Sequence, residues 1–200
     1  MMNKAEKAHA DGALVAKAEH DPFLGAPSFT LKHRIFRFCW AIVWALFASW
    51  TPPFMHRWRI ALLNRFGAQV DRSCFIYGSV RVWYPPHLTM ESHSTLGPRV
   101  DCYCMSPVRI GAYTVVSQGA FLCTGTHDFR SPEFQIYSRP ISIGALCWIC
   151  ADAFVGPGVT VGEGVVLGAR AAAFSDLEQW MVYSGNPAQP VKKREIIKRA

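Results

Sequence analysis

Apolar positions in residues 143–172 recur every six residues, and the stretch reads as IGALCW, ICADAF, VGPGVT, VGEGVV and LGARAA. The first place of each six is a branched aliphatic: Ile143, Ile149, Val155, Val161 and Leu167. The second is Gly or another small residue, and the fifth is small or β-branched: Cys147, Ala153, Val159, Val165 and Ala171. A period of six suits neither an α-helix nor a flat alternating strand. It predicts an all-β fold, a parallel β-helix in which each six makes one short strand and one corner. The aliphatic points inward and stacks on its counterpart in the next coil. The small second residue is expected to let the backbone turn the corner without a Cβ clash.

Upstream, the sixes start at Val70 and run less cleanly. VDRSCF, IYGSVR, VWYPPH and LTMESH are followed by a two-residue slip, then LGPRVD and CYCMSP, another slip, and IGAYTV, VSQGAF and LCTGTH. Such slips read as small corner loops. The repeat breaks at Asp128 and resumes at Ile143, so residues 128–142 should stand off the wall, where functional loops are found. The coils end near Phe174. The chain then leads into KKREIIKRA, read as a short C-terminal helix.

Ahead of the repeat, residues 38–50 are continuously apolar or small, and Pro52 and Pro53 stop any helix. That run is too short to span a bilayer, which takes roughly 20 residues. A second helix is expected over residues 55–66, with Trp58, Leu62, Leu63 and Phe66 on one side and Gly67 as its cap. Two readings stay open. The helices pack on the β-helix or on a neighbouring subunit, or residues 35–66 form an in-plane, peripheral membrane contact rich in Trp, Phe and Arg. Residues 1–28 read as a mobile tail. The expected division is thus 1–28 tail, 29–67 helical segment, 68–191 β-helix domain and 192–200 basic tail.

Composition narrows the partners. Half of the 200 residues are hydrophobic, enough for a real core, and the formal charge of +7 suggests an anionic partner. No basic motif interleaved with aromatics points to nucleic acid. Seven cysteines behind a polar N-terminus read as free thiols in a reducing, cytoplasmic setting. Cys147 and Cys150 fall where the repeat calls for small residues, so packing explains them better than a metal does, and no metal is expected.

One residue stands where the wall gives way to the loop: His127, in LCTGTHDF. A neutral imidazole there can take a proton from an alcohol near neutral pH, and Asp128 could orient the ring or place the loop. Spacing alone also allows a plain surface histidine.

The segments SQGAFLCTGTHDF, PISIG, DAFVGPGVTVGEGVVLGAR and SGNPAQPV resemble the hexapeptide-repeat acyltransferases. RFGAQVDRSCFIYGSVRVWYP and the Trp-rich helices before it are similar, more narrowly, to the colanic-acid-type exopolysaccharide O-acetyltransferases. The resemblance implies a left-handed β-helix, a homotrimer, and acetyl-CoA bound between adjacent subunits. It implies direct acetyl transfer to a sugar hydroxyl with His127, and Asp128 beside it, in the catalytic role. On the cofactor side it points to Trp148, Ala151, Ala169, Lys192 and Lys193, with Gly185, Asn186 and Pro187 as a closing turn. The implied acceptor is a nucleotide sugar or lipid-linked sugar. Three departures stand out: Cys104 where relatives carry an Asn, Phe174-Ser175 where they carry Thr-Lys, and Gln189 in place of a basic residue. They keep open a second reading, a β-helix trimer that binds without turnover. A metal-dependent reading on the same fold would need His87, His93 and His127 to converge.

Overall fold

The computed structural model describes residues 28–195 except 131 and 133, so the tail expected over 1–28 lies almost wholly outside the described residues. From Gln69 onward the chain visits three parallel sheets in turn, with five, seven and five strands. We call these the first, second and third walls. Their registers give the coil length. On the first wall Gln69 pairs with Thr89 and Thr89 with Arg109, a step of twenty residues. Arg109 pairs with Ser142 across the loop, and Ser142 with Thr160, a step of eighteen. Three clean sixes therefore build the coil that follows the loop, the earlier coils hold two residues more, and the last coil, in which Val166 pairs with Val182, holds two fewer.

In the first coil the two extra residues lie elsewhere than the sequence suggests, whereas in the second they fall at Val108 and Arg109, as expected. The inward residue that stacks on Val70 and Ile110 is Met90, so the slip sits just before Met90 and not after His93. Strands Leu88–Met90, Val108–Ile110 and Ile141–Ile143 each turn both ends inward, which keeps Leu88, Val108 and Ile141 buried as well. Burying a second aliphatic absorbs the insertion without breaking the stack.

The repeat's glycines also work differently from the expectation. The residue with positive φ at the corners is the fourth of a six, and it need not be Gly: Arg99, Tyr113, Leu146, Asp152 and Arg170 all sit near +58°, alongside Gly119, Gly158 and Gly164. The second-place glycines serve coil spacing. A Cβ at Gly144 would lie 2.7 Å from the Glu163 nitrogen, and one at Gly111 2.5 Å from the Ala145 nitrogen. Adjacent coils approach too closely there for any side chain.

Two helices, α1 (Leu31–Phe47) and α2 (His56–Arg65), close the first coil. An open β-helix end presents unpaired edge strands on every wall, and each must be satisfied. Asn64 exchanges two 2.9 Å hydrogen bonds with the Val70 backbone on the first wall. On the second, the Ile76 N–H donates to His56 Nδ1 at 3.1 Å, and its carbonyl accepts from Arg59 Nη1 at 2.7 Å. On the third, Trp40 Nε1 donates to the Val82 carbonyl at 2.7 Å. This is why the buried face of α2 is Arg59, Ile60 and Leu63, while Trp58, expected on that face, is largely exposed. Gly67 ends α2 with φ +92°, as expected of a cap.

At the other end, Met181–Ser184 and Gln189–Lys193 form an antiparallel hairpin on the second wall. The basic segment thus begins as a strand instead of a helix, because it completes the wall's last edge. Residues 196–200 lie outside the described residues. All seven cysteines are free, and Cys102, Cys104, Cys147 and Cys150 are buried among the core side chains.

Candidate active site

Where the third wall hands over to the first, the chain leaves the β-helix as a hairpin, Gly125–His127 against Ile136–Ser138. The sequence suggested only a loop over 128–142. In the structure pairing begins at Gly125, and Ile141 is already back in the wall. Buried hydroxyls root the hairpin: Thr124 Oγ1 donates to the Tyr103 carbonyl at 2.8 Å, and Ser106 Oγ contacts Ser138 Oγ at 2.8 Å.

His127 ends the first hairpin strand, half-buried. Its Nδ1 lies 2.8 Å from the Phe134 carbonyl oxygen, and its ring stacks on that of Phe134 with centroids 4.4 Å apart and planes 14° apart. A carbonyl can only accept, so Nδ1 carries the ring proton in the neutral side chain and Nε2 keeps its lone pair. This is the tautomer of a general base. Asp128 does not supply the contact to Nδ1. Its carboxylate accepts from the Arg130 N–H at 3.1 Å and its own N–H donates to the Gln135 carbonyl at 2.9 Å, so it shapes the hairpin turn. Phe134 was not foreseen, and nothing in the spacing of residues could have singled it out.

Cys104, two coils into the same corner, is fully buried. Its thiol sits 3.3 Å from both the N–H and the carbonyl of Tyr84, accepting from one and donating to the other. It is committed to the backbone and presents nothing outward. His87 Nδ1 lies 3.1 Å from the Cys104 carbonyl. His93 stacks on Tyr113 at a different corner, between the first and second walls. His93 thus stands at a different corner from His87 and His127, and among the described residues no three His, Cys, Asp or Glu side chains gather to hold a metal ion.

The residues to which the resemblance points on the cofactor side fall together elsewhere. On the outer face of the second wall, Val115, Trp148, Val166 and Val182 pair in succession, one per coil, and Lys192 lies opposite Val182 across the terminal hairpin, so Trp148 and Lys192 share one row along the axis. Trp148 is half-exposed, with Nε1 donating to Ser117 Oγ at 2.9 Å. At the adjoining corner, toward the third wall, Ala151 and Ala169 occupy the same place in consecutive coils; the Arg170 N–H donates to the Ala151 carbonyl at 2.9 Å. Gln118 holds that place one coil earlier, so the corner narrows to methyl groups only beside the later coils. An aromatic plate, a notch without bulky side chains and an ammonium group in one line suit a long, flexible, anionic molecule. Lys193 lies across from Met181 in the terminal hairpin. Arg194 is fixed, its Nη1 donating to the carbonyls of Leu146 at 2.6 Å and Gly164 at 2.8 Å.

The structure therefore gathers Trp148, Ala151, Ala169 and Lys192 on one side of the β-helix and sets His127 at another corner.

No family model matches the chain. It is 43% identical over 155 residues to the Escherichia coli K12 protein named as the colanic acid biosynthesis acetyltransferase WcaF, covering 78% of this chain and 85% of that one. A chloramphenicol acetyltransferase of Klebsiella aerogenes is 42% identical over 106 residues, covering 42% of this chain and 50% of the relative. Among solved structures, a maltose O-acetyltransferase from Clostridium difficile 630 superposes with a TM-score of 0.75 at 20% identity, over 98% of this chain and 99% of its own. A hexapeptide-repeat acetyltransferase of Vibrio cholerae in complex with acetyl coenzyme A gives the same TM-score of 0.75 at 20% identity, over 98% of this chain and all of its own.

Proposed function

Because the chain belongs to the colanic acid biosynthesis acetyltransferases of the hexapeptide-repeat class, we propose that it transfers the acetyl group of acetyl-CoA to a sugar hydroxyl in exopolysaccharide biosynthesis, with His127 as the base. It is an acetyltransferase, and acetyl-CoA is its donor. The observation that carries the finer reading is the bare Nε2 of His127, set by the 2.8 Å contact of Nδ1 with the Phe134 carbonyl.

In this reading Nε2 takes the proton of the acceptor hydroxyl while the oxygen attacks the thioester carbonyl carbon. Backbone N–H groups stabilise the resulting oxyanion. The carbon–sulfur bond then breaks, and the departing thiolate recovers the proton from His127. Because transfer is direct, none of the seven free cysteines acts as nucleophile. Trp148, Ala151 and Ala169 border the pantetheine and Lys192 meets a phosphate, with Lys193 adding charge nearby. Asp128 serves by holding the hairpin turn.

His127 and the Trp148 row stand on different parts of one chain, so the reading requires a second copy. The hairpin of one subunit addresses the cofactor groove of the next, as in a homotrimer.

The test is a screen of sugar acceptors with labelled acetyl-CoA, the native chain beside His127→Ala. Transfer by the native chain and a loss of roughly 10²–10⁴ in the variant are expected for a missing general base. Full activity in the variant overturns the assignment. If no acceptor is labelled while acetyl-CoA still binds, the non-catalytic reading gains, in line with a Cys104 thiol turned away from any acceptor.

A further inference from the structure

Helix α1 has two apolar stripes and uses one. Trp40 and Trp44 are buried against the first coil, with Ala48 beyond the helix end. On its other side Leu31, Ile35, Phe38, Ile42 and Leu46 follow at helical spacing and all are exposed, Leu31 and Phe38 by 67% each. The apolar surface continues past the helix into Trp50, 72% exposed, and Phe54, 81% exposed. No Lys, Arg, Asp or Glu occurs from residue 38 to residue 56, so nothing on this face repels an apolar phase.

Charge identifies the partner. Residues 22–70 hold six Lys and Arg and no Asp or Glu. Of the six, Arg59 is consumed by the backbone it caps. Beside the stripe, a groove of about 700 Å³ runs between α1 and the third wall, bordered by Leu31, Ile35 and Phe38, by the guanidinium groups of Arg34 and Arg37, and by Arg81, which is paired with Asp101 at 3.2 Å. Arg37 lies 4.1 Å above the Trp83 ring, which holds its charge at the groove. Cations flanking an exposed apolar stripe match a surface of anionic phosphates above acyl chains. A second copy of the chain would set this wholly basic segment against itself. At 17 residues α1 is about 25 Å long, and no described helix is long and apolar enough to cross a membrane.

We propose that the outer face of α1, with Trp50 and Phe54 and the arginine groove beside it, seats the protein on an anionic phospholipid surface, the helix lying in the interface plane. The seat rests on the acetyltransfer reading only for its use, which is to meet an acceptor sugar carried on a lipid.

The test is flotation of the full chain with vesicles of phosphatidylcholine alone, or with about a third phosphatidylglycerol. Flotation with the anionic vesicles, weakened by high salt and absent with neutral ones, is expected. The triple variant Ile35→Ser, Phe38→Ser, Ile42→Ser should lower partitioning about tenfold or more. It should keep the native melting temperature, oligomeric state and transfer to a soluble acceptor. Arg34→Glu, which removes no apolar surface, should weaken binding to anionic vesicles independently. The proposal is overturned if the native chain stays with the unbound protein, if the triple variant floats as well as the native chain, or if the triple substitution dissociates the oligomer. Flotation without any sugar transfer supports the seat and counts against the enzymatic reading alone.

Discussion

The repeat's second-place glycines separate two roles that a sequence pattern merges. At Gly144 an added Cβ meets the Glu163 backbone at 2.7 Å, and backbone there cannot move without parting two coils. At Gly168 the nearest atom is the Tyr183 carbonyl oxygen at 3.1 Å, in the last coil, where a few tenths of an ångström of give suffices. Gly144→Ala should therefore cost about 1–3 kcal/mol by overpacking, and Gly168→Ala clearly less. Denaturant titration of the two variants checks the order; equal costs would refute the coil-spacing account. Cys150 and Trp148 show the same division. One is small because the wall demands it, and the other is large because its outer face is free.

Among the elements, α1 is held by aromatic contacts as well as by Trp40 and Trp44. His33 sits buried among Phe29, Trp83 and Tyr84, and neither ring nitrogen has a hydrogen-bond partner. Burial, and then the charges of Arg37 and His87, lower its pKa from 6.5 to about 4. The unfolded chain consequently binds this proton more readily than the folded one between those values. His33's contribution is intact above pH 6.5 and falls away as the pH drops toward 4. Thermal melts at pH 7.5 and 4.5 should show a loss of stability in acid that is smaller in His33→Phe, a substitution suited to an aromatic cage. An unchanged acid loss in the variant would place the sensitivity elsewhere.

For the whole molecule, the central fact is that the His127 hairpin and the Trp148 row lie apart on one chain. If each site is completed by a neighbouring copy, two inactive variants should complement. Ala169→Trp fills the notch, and His127→Ala removes the base. Mixed oligomers, refolded or co-expressed, should regain measurable transfer because some interfaces pair an intact hairpin with an intact groove. Mixtures as inactive as the separate variants would mean that one chain holds its whole site.

The sequence by itself determined the coil, because a period of six leaves a stacked aliphatic interior with small residues at fixed places as the way to bury its apolar positions. It also marked His127 as the residue at the break, while Trp148 entered only through the family resemblance. Where the extra residues of the first coil go was decided only in three dimensions, since Leu88 and Met90 both satisfy a local hydrophobic pattern and only stacking on Val70 and Ile110 chooses between them. The tautomer of His127 likewise depends on a carbonyl seven residues away, brought back by the hairpin. The same holds for α2, where Arg59 displaced Trp58 from the buried face because the Ile76 carbonyl of the first coil and the Thr51 carbonyl of the linker after α1 needed a donor more than the core needed a ring. Periodicity records which residues shun water; unpaired backbone groups and the meeting of distant coils appear only once the chain is folded.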